Sequence, residues 1–143
     1  MRVLGVDVGK RRVGLAVSDP SGTLARPMTT LRVNSSADAV EGVLSEVTEL
    51  QREDEGLTVI VVGVPSRLDG GETTETSYVR AFIRALQART SVPVIEEDER
   101  LTSREAESRL AIGERDWRKR KEKLDAAAAA VILQDYLDRR QSG

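Results

Sequence analysis

The stretch "RVLGVDVGKRRVGLAVSD", residues 2–19, decides the fold. Residues 2–8 are apolar apart from Arg2 and Asp7, the pattern of a central strand covered on both faces. Gly9-Lys10-Arg11-Arg12 makes a turn, and "VGLAVSD" then resumes as a second strand, which predicts an antiparallel hairpin. Asp7 is the anomaly. An unpaired carboxylate inside a buried strand would sooner take up a proton than keep its charge. Asp7 therefore needs a partner from elsewhere in the chain.

Beyond the hairpin, "TLARPMTTLRV" (23–33) reads as a weaker third strand, which Pro27 confines to an edge or a bulged position. "NSSADAVEGVLSEVTELQRE" (34–53) switches to helical period, with Val40, Val43, Leu44, Val47 and Leu50 on one face and Ser35 as its cap. "LTVIVVGVP" (57–65) is the most strand-like segment, and the polar loop "SRLDGGETTET" follows, with a turn at Asp69-Gly70-Gly71. "SYVRAFIRALQAR" (77–89) is a second amphipathic helix, burying Val79, Phe82, Ile83 and Leu86. "SVPVIEEDE" (91–99) is a short strand running out into acids. Thr102 with Glu105 forms a capping box, so a helix is expected from there to Gly113. "KLDAAAAAVILQDYLDRR" (123–140) is the final helix. This order predicts a mixed sheet covered by helices, one α/β domain over residues 1–143.

Composition narrows the chemistry. The 143 residues include no Cys and no His, which excludes disulfides, thiol nucleophiles and thiolate zinc sites, together with the commonest general base. Catalysis would have to come from carboxylates, Lys, Tyr, hydroxyls or a metal held by oxygen, and oxygen ligands select Mg²⁺ or Mn²⁺. No apolar run is long enough to span a membrane. Met1-Arg2 leads directly into strand-like sequence, so no signal peptide is expected and the cytoplasm is the expected location. Net charge is only −2, from 22 basic and 24 acidic residues. The basic residues are nevertheless clustered, at Lys10-Arg11-Arg12 and in "ERDWRKRKEK" (114–123), as binding to a polyanion requires.

Two further acids repeat the puzzle of Asp7. Asp125 shares a helix face with Ala128, Ala129, Ile132 and Tyr136, a face that should pack on the sheet. Its bland alternative is a carboxylate at a helix N-terminus, stabilised by the dipole. Glu99 or Asp98, in "EEDER", lies where the last strand leaves the sheet, the edge at which open α/β sheets build their sites. Its alternative is a solvated acidic loop. Taken together, Asp7, Asp125 and one of the "EEDER" acids can hold one or two divalent cations, which activate water and stabilise charge on a phosphate oxygen. A cation is the partner that would let Asp7 stay ionised.

Four blocks now carry a resemblance. "DVGKRRVGLAVSD", "VVGVPSRLDGGETTET", "DERLTSREAE" and "KEKLDAAAAAVIL" are similar, in order and spacing, to the four motifs of the YqgF (RuvX) family, bacterial nucleases of the RNase H-like superfamily. The departures, such as Val64 where Leu is common, do not touch the acids. The resemblance implies an RNase H-like fold: a five-stranded mixed sheet of three antiparallel and two parallel strands, with helices on both faces. It also implies metal-dependent catalysis by Asp7, Glu99 and Asp125, with Glu99 favoured over Asp98. The implied substrate is the 5′ end of the small-subunit (16S) ribosomal RNA precursor, or else a Holliday junction in branched DNA.

Around these acids, Lys10, Arg11, Arg12 and Arg100 are candidate nucleic-acid contacts. The alternatives are a solvated hairpin tip and, for Arg100, a residue that orients the carboxylates. Lys121 and Lys123 resemble the family's lysines before the helical Asp. Trp117 either stacks on a base or anchors its segment to the core. Competing functions are a junction-resolving DNase, an actin-like ATP-binding module and a non-catalytic nucleic-acid scaffold. The expected state is a monomer or a homodimer; a stable dimer would favour the resolvase, and a single domain argues against the actin-like module.

Overall fold

The structure, a computed structural model, describes residues 1–66, 70–99 and 117–142, and of residues 117–124 and 142 the backbone. Five strands form a single sheet in the order β3-β2-β1-β4-β5. They are β1 (Val3–Val8), β2 (Arg12–Ser18), β3 (Ala25–Arg32), β4 (Val59–Val64) and β5 (Val94–Asp98). The first three make an antiparallel meander, and β4 and β5 run parallel to β1. The described helices are α1 (Ser36–Arg52), α2 (Thr74–Gln87) and α3 (Trp117–Ser142).

Strand alternation divides the core into two layers. Leu4, Val6, Val13, Leu15, Ile60 and Val62 face α1 and α2, which bury Val40, Val43, Val47, Val79, Phe82 and Leu86 against them. Val3, Ala16, Val59 and Val61 face the other way, onto Ala129, Ile132, Leu133 and Leu137 of α3. β1 and β4 are covered on both sides, so their sequences read as continuous apolar runs. As expected, Pro27 lies on the edge strand, and the β2–β3 register slips beside it, between Leu15 and Ala16.

Helix starts differ from the sequence expectation in two places. β3 starts at Ala25 because Asp19 organises the preceding turn, its carboxylate accepting from the backbone amides of Thr23 and Leu24. α1 is capped by Ser35, whose hydroxyl accepts from the Asp38 amide at 3.1 Å. α2, however, begins at Thr74 rather than at 77, because Thr73 and Thr76 form a reciprocal capping box inside the polar loop. α3 begins at Trp117, six residues before the apolar periodicity does. Asp125 therefore lies in its third turn, and the reading of a helix-terminal carboxylate stabilised by the dipole does not hold. The helix expected over 102–113 lies outside the described residues. Among the described residues, no helix is long and apolar enough to cross a membrane.

Candidate active site

β1, β4 and β5 are parallel, so their carboxyl ends meet at one edge of the sheet. Asp7 is the penultimate residue of β1, and it shares the α3 side with Val3 by alternation. In the hairpin register it stands opposite Gly14 of β2. A β-carbon at position 14 would fall 2.0 Å from the carbonyl oxygen of Asp125. Only glycine lets α3 rest its backbone directly on β2 there, and that contact brings Asp125 beside Asp7.

The third acid arrives from β5. The Glu99 amide donates to the Val64 carbonyl at 3.2 Å, carrying the β4–β5 ladder one step past Asp98. Its side chain turns to the α3 face, where Glu99 Oε2 would lie 2.8 Å from a β-carbon on Gly63. Gly63 thus leaves the space that the carboxylate fills. Asp98 points to the opposite face, is exposed, and takes a hydrogen bond from Ser66 Oγ at 3.3 Å. The alternation left open by "EEDER" places Glu99, and not Asp98, on the side of Asp7.

Electrostatics mark these acids as a set. Burial, reinforced by the Asp125 charge, raises the Asp7 pKa from 3.8 to about 7. Burial, then Asp7, then Asp98, raise Glu99 from 4.5 to about 8. Glu99 Oε2 is also a buried oxygen with no hydrogen-bond partner among the described residues. Asp125 is instead compensated: Arg12 Nε donates to its Oδ2 at 2.9 Å. Among the described residues, no group of three or more acids is arranged to hold a metal ion as the chain stands. The donor set nonetheless suits a hard cation. It is all oxygen, it is crowded with like charge, and it holds an orphaned buried oxygen that a cation would satisfy.

The basic candidates fall in different places. Lys10 and Arg11 are exposed at the hairpin tip, and Lys10 lies within electrostatic reach of Glu75 in the first turn of α2. Arg12 is half-buried and engaged by Asp125. Lys121 and Lys123 lie on α3 within four residues of Asp125, with their side chains outside the description, as is that of Trp117. Arg100, Thr102 and Asp69 lie outside the described residues.

Sequence reasoning missed Glu97, which is only 3% exposed on β5 and whose buried carboxylate is met by Arg139 of α3. The signal was its alternation with Glu96, but the partner lies 42 residues away. On the α2 face, a cleft of about 380 Å³ is lined by Val64, Ser66, Thr76, Arg80, Glu96 and Asp98. Arg80 bridges Glu72 and Glu96 there, and with Asp98 the lining keeps a net negative charge.

Comparison with known proteins fits this geometry. A protein of Anaeromyxobacter sp. (strain K) named "Putative pre-16S rRNA nuclease" is 45% identical over 140 residues, 98% of each chain. One of the same name from Moorella thermoacetica is 41% identical over 140 residues, covering 97% of this chain and 96% of its own. The Thermus thermophilus RuvC structure superposes with a TM-score of 0.55 at 16% identity, over 99% of this chain and 97% of that one. The architecture is accordingly RNase H-like. The model of the family described as "RuvX: Holliday junction resolvase" matches residues 1–139, and with relatives of this identity over nearly the whole length, the chain belongs to the RuvX family.

Proposed function

We propose that this chain is a divalent-metal-dependent nuclease, built as a single RNase H-like domain, that hydrolyses phosphodiester bonds of structured RNA. Its substrate is the 5′ end of the 16S ribosomal RNA precursor, in the cytoplasm. The observation that carries the reading is the orphaned, buried Glu99 carboxylate beside Asp7, both with raised pKa values. Two acids held together at the carboxyl edge of a sheet, with Asp125 brought alongside, form a site that calls for positive charge.

Asp7, Glu99 and Asp125 would hold Mg²⁺ or Mn²⁺. The bound ion supplies water activation and neutralises charge developing on the phosphate. Asp7, whose charge is felt by Glu99 and which itself feels Asp125, is fixed by the β1–β2 ladder. Glu99 is fixed by its amide bond to Val64, and Asp125 by the backbone contact with Gly14. Lys10 and Arg11, at the exposed hairpin tip, and Lys121 and Lys123, just before Asp125 in the chain, are assigned to the sugar–phosphate backbone. Arg100 is assigned to the same polyanion, whereas Arg12, engaged by Asp125, is not among these contacts.

The test is a cleavage panel of structured RNA, single strands, duplex DNA and four-way junction DNA, with Mg²⁺ or Mn²⁺ and with EDTA. Metal-dependent RNA cleavage, lost in Asp7→Asn while RNA binding persists, is expected. Full activity in EDTA refutes the mechanism. The family description favours one second reading, Holliday junction resolution, and paired cuts confined to the four-way junction would select it.

A further inference from the structure

We propose that Arg12 is a resident counter-ion of the site, a positioning residue that holds Asp125 while no metal is bound and competes with the metal for it. The proposal rests on the metal-dependent reading above. Arg12 Nε lies 2.9 Å from Asp125 Oδ2, with the two side chains 27% and 28% exposed. That is a half-buried pair, less screened than a surface pair and so harder to dissolve.

Both members stand on rigid backbone. The Arg12 carbonyl accepts from the Gly9 amide at 2.8 Å, which closes the hairpin turn. Two residues on, Gly14 takes the direct backbone contact with Asp125. The pair therefore spans the same strand–helix junction that delivers the acid to the site.

In the β2–β3 register Arg12 stands directly opposite Arg32. Like charges across a strand pair are unfavourable unless an anion lies close by. The Asp125 carboxylate is such an anion.

In this arrangement Arg12 engages Oδ2 of Asp125, and the described residues offer no three-acid ion cage. An entering divalent ion must share Asp125 with the guanidinium or displace it. Arg12 thus lowers ion affinity while stabilising the metal-free fold. Two ligands competing for one group are coupled negatively, and the coupling is reciprocal.

The experiment titrates Mn²⁺ into the full chain by calorimetry, for wild type, Arg12→Gln and Arg12→Lys, and records melting of each in EDTA. Arg12→Gln should bind Mn²⁺ about tenfold more tightly and melt lower in EDTA than wild type. Arg12→Lys, which keeps the charge but loses the planar fork, should fall between the two in both measurements. Unchanged or weaker Mn²⁺ affinity in both variants, with wild type binding normally, overturns the role of Arg12 alone. No Mn²⁺ binding in wild type or either variant overturns the metal-dependent reading as well.

Discussion

Replacing Asp7 by Asn should abolish cleavage and, in the absence of metal, make the protein more stable at alkaline pH. The sign follows from the direction of the shift. The Asp7 pKa rises from 3.8 to about 7 in the fold, so the folded chain holds this proton more tightly than the unfolded one. Its stabilising contribution is complete below about pH 4 and is lost as pH rises through about 7. The displacement of the Asp7 pKa corresponds to about 4 kcal/mol at pH 8 and to about 1 kcal/mol at pH 4.5. Asparagine keeps the shape and removes the charge. For a chain of this size the pH 8 figure is a rise of about 10 °C in melting temperature. The assay is calorimetric melting of wild type and Asp7→Asn in EDTA at pH 4.5 and pH 8, repeated with Mg²⁺. The gap should widen with pH, and Mg²⁺ should close it by stabilising wild type alone. A variant less stable than wild type at pH 8 in EDTA, or an equal gap at both pH values, would refute the reasoning.

Other perturbations test the parts that hold the acids. Gly14→Ala places a methyl group into the Asp125 backbone, so it should cost about 1–3 kcal/mol or more in urea unfolding and depress cleavage by lifting Asp125 away from Asp7. Ile132→Ala removes a fully buried side chain between α3 and the sheet; equilibrium denaturation should show a loss of about 2–5 kcal/mol. Ser35→Ala removes the α1 cap without touching any of the acids; it should cost about 1 kcal/mol and leave the cleavage rate unchanged.

The hairpin was legible because β1 must be apolar on both faces, which makes one carboxylate conspicuous. Edge placement of Pro27 followed from its missing amide hydrogen. The ends of α2 and α3 were harder to see for opposite reasons. Thr73 and Thr76 sit in a run of turn-forming residues, and their mutual capping shows only in three dimensions. The first turns of α3 are Arg- and Lys-rich, good helix formers with no apolar stripe to reveal a period. Asp7 and Asp125 could be singled out as misplaced charge, whereas "EEDER" left Glu99 and Asp98 open and only the family resemblance preferred Glu99. The bond from Arg12 to Asp125, 113 residues away, could not, because no local pattern encodes it. The same holds for Glu97, whose burial depends on Arg139 at the far end of α3.

The direct seating of α3 on Gly14 has a mechanical consequence. With no side chain between helix and strand, the contact cannot compress, and it works as a fulcrum. The basic turns from Trp117 onward form one arm of a continuous rod, and the Ile132–Leu137 segment clamped to the sheet forms the other. Asp125 sits on the seat itself. Any thickening of the seat is therefore delivered to Asp125 in full.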